Sequence, residues 1–330
     1  MFFKPPILAL FIGSFLISGM LLYSAFYAIQ ILSKWDIHSG SDTQLNLERR
    51  TYLVSTIMAY ALAFQLFSFF LFIYTADHLH TFFTGAMCAA GSLNANKWGY
   101  PVVLLKVANF LLAGLWLIVN YADNRGYDYP LIKAKYTLLL WITPLILVEA
   151  VIQGLYFGGL KPEVITSCCG TQFTAETTSI ASEVIALPLT AMEIAFFGGM
   201  VGTLGLGIFF YRTGKGGYFL GGASLLTFLI SVAALISFIS LYIYELPTHH
   251  CPFCILQQEY HYLGYPLYLT LLGGALTGLG AGVLMPFRQV PSLKEILPSI
   301  QKRLSLFSLL FYASFTLIVV YEMIFSNLRM

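Results

Sequence analysis

FLGGASLLTFLISVAALISFISLYIY, residues 219–244, contains no charged residue. It exceeds the roughly 20 apolar residues a helix needs to cross the hydrocarbon core of a bilayer. Its length makes it a membrane span rather than the buried helix of a soluble domain. Seven further windows read the same way: about 7–32, 52–74, 101–121, 136–159, 188–211, 265–287 and 304–325. Helices are the expected spanning element, because backbone groups in lipid must find their partners within the segment. Across all 330 residues, 58% are hydrophobic and 10% charged, with mean hydropathy +0.79. Soluble domains carry about 25% charged residues. The expectation is an all-α polytopic membrane protein, residues 1–330 forming one membrane domain of eight transmembrane helices in a lipid bilayer.

The first apolar run follows a lysine, as a signal peptide would. It is longer than the usual signal core, and Ala25 to Ala28 make a poor cleavage site. It therefore reads as the first membrane helix. Trp98, Tyr100, Tyr121, Trp141 and Tyr265 fall near segment ends, as an interfacial aromatic belt requires. The net charge of +2 and the lack of a basic run give no nucleic-acid partner.

Lysine and arginine set the orientation. The loops after helices 1, 3, 5 and 7 hold Lys34, Arg49, Arg50, Arg125, Lys133, Lys135, Arg212, Lys215, Arg288, Lys294, Lys302 and Arg303, twelve of the 17 basic residues. These loops are expected inside, with both termini extracytoplasmic. All five cysteines, and every histidine except His38, then fall on the outer side. In a bacterial inner (plasma) membrane that side is the periplasm, where disulfides persist.

The span at 219–244 leads directly into Thr248-His249-His250-Cys251-Pro252-Phe253-Cys254. The C-x-x-C spacing lets one thiolate be stabilised by its neighbour and by helix N-terminal amides. His249 and His250 can assist, or can take the proton of an attacking thiol. Three readings stay open here: redox chemistry, metal ligation and a structural bridge. Cys168-Cys169, in the loop 161–187, are vicinal, and a bond between them would be strained and easily reduced. They can instead pair elsewhere, relay electrons or bind a soft metal; Cys88 is a candidate partner.

Two stretches resemble each other. His78 and His80, Cys88 and Gly99-Tyr100-Pro101 parallel His249 and His250, Cys254 and Gly264-Tyr265-Pro266. The pattern points to repeat halves, 1–160 and 188–330, each of four helices and joined by the loop 161–187.

A C-x-x-C at the outer mouth of a helix bundle, followed at once by an apolar helix, resembles the bacterial disulfide-bond oxidase (DsbB) and vitamin K epoxide reductase group. The resemblance covers about residues 245–275. It implies a thiol–disulfide oxidoreductase that passes electrons to a membrane quinone, with Cys251 and Cys254 as the quinone-proximal pair. Cys168 and Cys169 would be the shuttle pair that meets a periplasmic thioredoxin-like protein. The chain departs from that group in having eight spans rather than four, a vicinal loop pair, and no arginine in the corresponding outer loops.

Two other function classes use the same residues. His78, His80, Cys88, His249, His250, Cys251, Cys254 and His261 are suitable ligands for copper or zinc, as in a soft-metal binding or transport protein. Alternatively the chain is a membrane anchor subunit of a periplasmic redox complex, its cysteines serving only as staples. Lys106, Glu149 and Glu193 lie inside spans, where ionisable groups are functional candidates. They are expected as a Lys–Glu cluster forming a proton path or quinone contact, or else as a structural ion pair. The glycines of 202–207 and 273–282 lie within apolar spans and read as close helix packing.

Overall fold

The computed structural model describes residues 4–37, 39–161, 165–166 and 180–328. The described residues are helical, with no strand among them. Eight helices are long and apolar enough to cross a membrane. They are α1 (Pro5–Lys34), α2 (Asp42–Leu79), α3 (Gly99–Asp123), α4 (Ile132–Gly158), α5 (Leu189–Thr213), α6 (Gly217–Tyr244), α7 (Gly264–Val283) and α8 (Leu297–Phe325).

Seven of these match the apolar windows to within a few residues at most ends. α2 starts ten residues before its window, at Asp42 rather than near 52. The cause is local. Ser41 accepts the N–H of Gln44 on its hydroxyl (3.3 Å), which satisfies one of the four donors a helix start leaves open. Hydropathy misses this polar opening turn, whereas the S-x-x-Q pattern marks it. α5 ends where Gly214 turns left-handed (φ 69°) and returns its N–H to Phe210 O. Gly216 (φ 84°) starts α6 two residues on. Residues with a Cβ rarely adopt either backbone.

The chain divides into two compact units. The first comprises Met1–Thr75, Asn96–Leu160 and Pro286–Ser299. Within it α4 packs against both α1 and α3, around a core that includes Leu21, Met58, Trp116 and Tyr136. The second comprises Ala76–Ala95, Lys161–Met285 and Ile300–Met330. There α6 packs between α5 and α7. Phe238 and Phe315 both meet Phe196 edge-on, at 5.7 and 6.0 Å. The glycines of α7 act as the sequence implied: a Cβ added to Gly282 would lie 3.1 Å from Gly221 Cα. The α6–α7 approach therefore depends on bare backbone.

Candidate thiol centre

The centre lies in the second unit and is built from two chain segments. The first leaves α2 through a 3₁₀ turn, His80–Phe82, and reaches Cys88 just before a short helix, Ala89–Leu93. Three hydrogen bonds fix it. The Asp77 carboxylate accepts the N–H of Ala89 (3.2 Å), the Gln257 amide donates to Met87 O (2.6 Å), and Thr166 N–H donates to Thr84 O (3.0 Å). Asp77 is itself buried, so its bond to the residue after Cys88 forms in a low-dielectric setting and holds firmly.

The second segment follows α6. Glu245 adopts a left-handed backbone (φ 55°), and Pro247 and Pro252 prevent the helix from continuing. The chain turns over and enters a 3₁₀ turn, Cys254–Leu256. The Tyr244 hydroxyl donates to Cys251 O (2.6 Å) and the Tyr268 hydroxyl donates to Pro252 O, so two tyrosines clamp the C-x-x-C backbone.

These segments bring Cys88, Cys251 and Cys254 together, their sulfurs all within 4.8 Å of one another. Cys88 Sγ lies 3.7 Å from Cys251 Sγ, a contact between thiols and well beyond the ~2.05 Å of a disulfide. The N–H of Phe253 approaches Cys251 Sγ at 3.5 Å, a donor suited to a thiolate. His249 Nε2 lies 3.4 Å from Cys254 Sγ, and its ring packs edge-on against Tyr244 (4.5 Å between centroids). The three cysteines are 0%, 1% and 5% exposed. Tyr260 stands beside them. Burial, with the Cys254 thiol, the Glu259 carboxylate and the Cys251 thiol, pushes its phenol above the ordinary value, so it keeps its proton.

The other candidates go elsewhere. His250 Nδ1 donates to Ile236 O (2.9 Å). His78, His80 and Glu259 lie within electrostatic reach of Asp77, and His80 Nδ1 bonds Asp77 O. His261 is exposed with a left-handed backbone (φ 53°). Cys168, Cys169 and His38 lie outside the described residues.

Lys106 and Glu149 meet, and they do so within the first unit. Lys106 Nζ is 2.6 Å from Glu149 Oε1, while Gln65 and Asn109 donate to Oε2 at 2.7 and 2.6 Å. The carboxylate is thus saturated by donors, as a structural pair requires. Glu193 does not join this pair; it belongs to the second unit and accepts from the Tyr242 hydroxyl.

Sequence reasoning missed Asp77 as a positioning group, the two clamping tyrosines, and a second buried ion pair, Lys135–Asp123 at 2.5 Å. Lys135 had read as a loop charge. Its hydrogen-bond partner Asn120 sits one turn before Asp123, and that spacing was the available signal. Comparison with known protein families, with curated proteins and with solved structures finds no match for this chain.

Proposed function

We propose that this chain is a multi-pass membrane protein whose buried Cys88–Cys251–Cys254 centre binds a soft metal cation, copper(I) or zinc(II), through its three sulfurs, with His249 packed against Cys254. One observation carries the reading: three sulfurs from segments 163 residues apart converge within 4.8 Å in a buried site. Thiolate is a donor those ions prefer. Across a tetrahedral zinc with Zn–S about 2.3 Å, two sulfurs sit about 3.8 Å apart, and Cys88 and Cys251 already stand at 3.7 Å. Burial argues the same way, since exchange with a protein partner needs an accessible sulfur. The excess of lysine and arginine in the other loops supports an extracytoplasmic side for this centre and for both termini, in keeping with a bacterial inner membrane.

A second reading, quinone-linked thiol–disulfide exchange, is favoured by the Cys88–Cys251 contact. Once Cys251 and Cys254 are oxidised, a Cys88 thiolate at 3.7 Å is placed to attack Cys251 and release Cys254 as thiolate. Cys168 and Cys169 would then exchange with a thioredoxin-like partner.

One sample separates the two. The protein is purified anaerobically, its metal is quantified, and its thiols are mapped by alkylation before and after reductant. Stoichiometric copper or zinc that disappears in Cys88→Ser, Cys251→Ser and Cys254→Ser supports the metal centre. A metal-free protein whose Cys251–Cys254 disulfide is re-formed by added quinone overturns it in favour of exchange. A fixed, unreactive disulfide pattern overturns both and leaves the membrane-anchor reading.

A further inference from the structure

α6 is not α-helical throughout: Leu235–Ile239 form a π turn. Such turns are rare and occur frequently at functional sites. Here the turn has a definite effect. The N–H of Ser240, which α geometry would direct to Ile236 O, bonds Leu235 O instead. Ile236 O accepts the Nδ1–H of His250 at 2.9 Å. A carbonyl only accepts, so the proton sits on Nδ1, and in the neutral imidazole Nε2 keeps its lone pair.

The same turn affects two hydroxyls. Serines inside membrane helices ordinarily bond the carbonyl four residues back, as Ser231 does to Thr227 O (2.7 Å). For Ser240 that carbonyl is Ile236 O, which bonds His250 Nδ1 and not the Ser240 hydroxyl. Ser237 and Ser240 are 2% and 1% exposed, and neither hydroxyl oxygen has a protein partner. Two orphaned buried hydroxyls, three residues apart and beside a tautomer-locked imidazole, form a polar interior site. Groups of this kind are normally completed by bound water making two to four hydrogen bonds.

We propose that the π turn of α6 holds bound water, ligated by Ser237 Oγ, Ser240 Oγ and the ring of His250. The water donates one O–H to Nε2 and the other to one serine hydroxyl, and it accepts from the second hydroxyl; this gives the interior a hydrogen-bonded link that the apolar side chains cannot supply. The proposal holds whichever ion or partner the thiols take, so it can fail while the metal reading stands, and the reverse.

Radiolytic footprinting of the full chain in lipid nanodiscs tests it, because hydroxyl radicals generated from bound water modify buried side chains next to that water. Buried Phe238 and Leu241 are the reporters, and the equally buried Phe72 and Phe210 are the dry-core references. The expected result is labelling of the reporters above the references, lost in S237A/S240A and retained in Ser240→Thr, which keeps the hydroxyl. Reporters no more labelled than the references in the wild-type protein overturn the proposal. So does labelling that persists undiminished in S237A/S240A. Should the double variant not fold, the wild-type comparison decides alone.

Discussion

At the scale of single residues, the thiol centre depends on groups that never touch a sulfur. Asp77 acts through the amide of Ala89, and so sets where Cys88 sits. Outer-shell changes around metal ligands typically cost about 10–100-fold in affinity. On the proposed metal reading, Asp77→Ala is expected to lose affinity in that range, and Asp77→Asn, which keeps an acceptor oxygen, to retain most of it. Cobalt(II) titration checks this, because the sulfur-to-cobalt charge-transfer band weakens if one thiolate drops out. Equal bands in the wild type and Asp77→Ala would remove Asp77 from the positioning role. The Lys106–Glu149 pair answers a different question. Removing one partner of a buried pair costs about 3–5 kcal/mol, whereas replacing both with apolar residues is often neutral. Glu149→Leu alone should therefore lower the unfolding temperature sharply, and Lys106→Met with Glu149→Leu should restore it. A double variant no more stable than the single would show that the pair does more than neutralise itself. Lys106 and Glu149 were legible as candidates because ionisable residues stand out in apolar runs. Their saturation by Gln65 and Asn109 was not, because it depends on which helix faces bring them together.

At the scale of elements, the ends of the helices carry the specificity. α6 ends at Tyr244, and the next residue, Glu245, accepts both the backbone and side-chain N–H groups of Asn327, at 2.9–3.0 Å, just beyond α8. Those donors hold the Glu245 carboxyl below the ordinary carboxylate range. Its folded value is depressed, so its contribution is complete above the unfolded value of about 4.3. That contribution is lost as pH falls through the lower folded value. The hydrogen-exchange protection factors of Asn327 and Leu328, with the intrinsic pH dependence of exchange divided out, are expected to stay flat from neutral pH down to the carboxylate range and to fall below it. Glu245→Gln should remove most of that pH step. The approach of α6 and α7 gives another test. A Cβ on Gly278 would lie 2.0 Å from Ser224 Oγ, and overpacking of this kind costs about 1–3 kcal/mol. Gly278→Ala is expected to lower the melting temperature, whereas Gly222→Ala, with open space around it, should not.

At the scale of the whole molecule, the proposed orientation makes a direct prediction. A membrane-impermeant amine reagent applied to intact cells should modify Lys97 and Lys161 and spare Lys215, Lys294 and Lys302, all five of which are exposed on the protein. The reverse pattern would put the thiol centre on the cytoplasmic side, where cytosolic reductants keep thiols reduced, and would count against the exchange reading. The sequence by itself determined the eight spans, because crossing a bilayer is a local requirement of about 20 apolar residues and hydropathy along the chain records it. It also showed which residues were chemically unusual: the C-x-x-C, its flanking histidines, and charges within apolar runs. The tertiary structure decided which of these meet. The repeat paired Cys88 with Cys254 as counterparts in separate halves, yet Cys88 joins both Cys251 and Cys254 in one buried cluster. The π turn whose Ile236 carbonyl bonds His250 leaves no mark in composition or periodicity. Such encounters depend on helix packing over distances that no short-range pattern encodes.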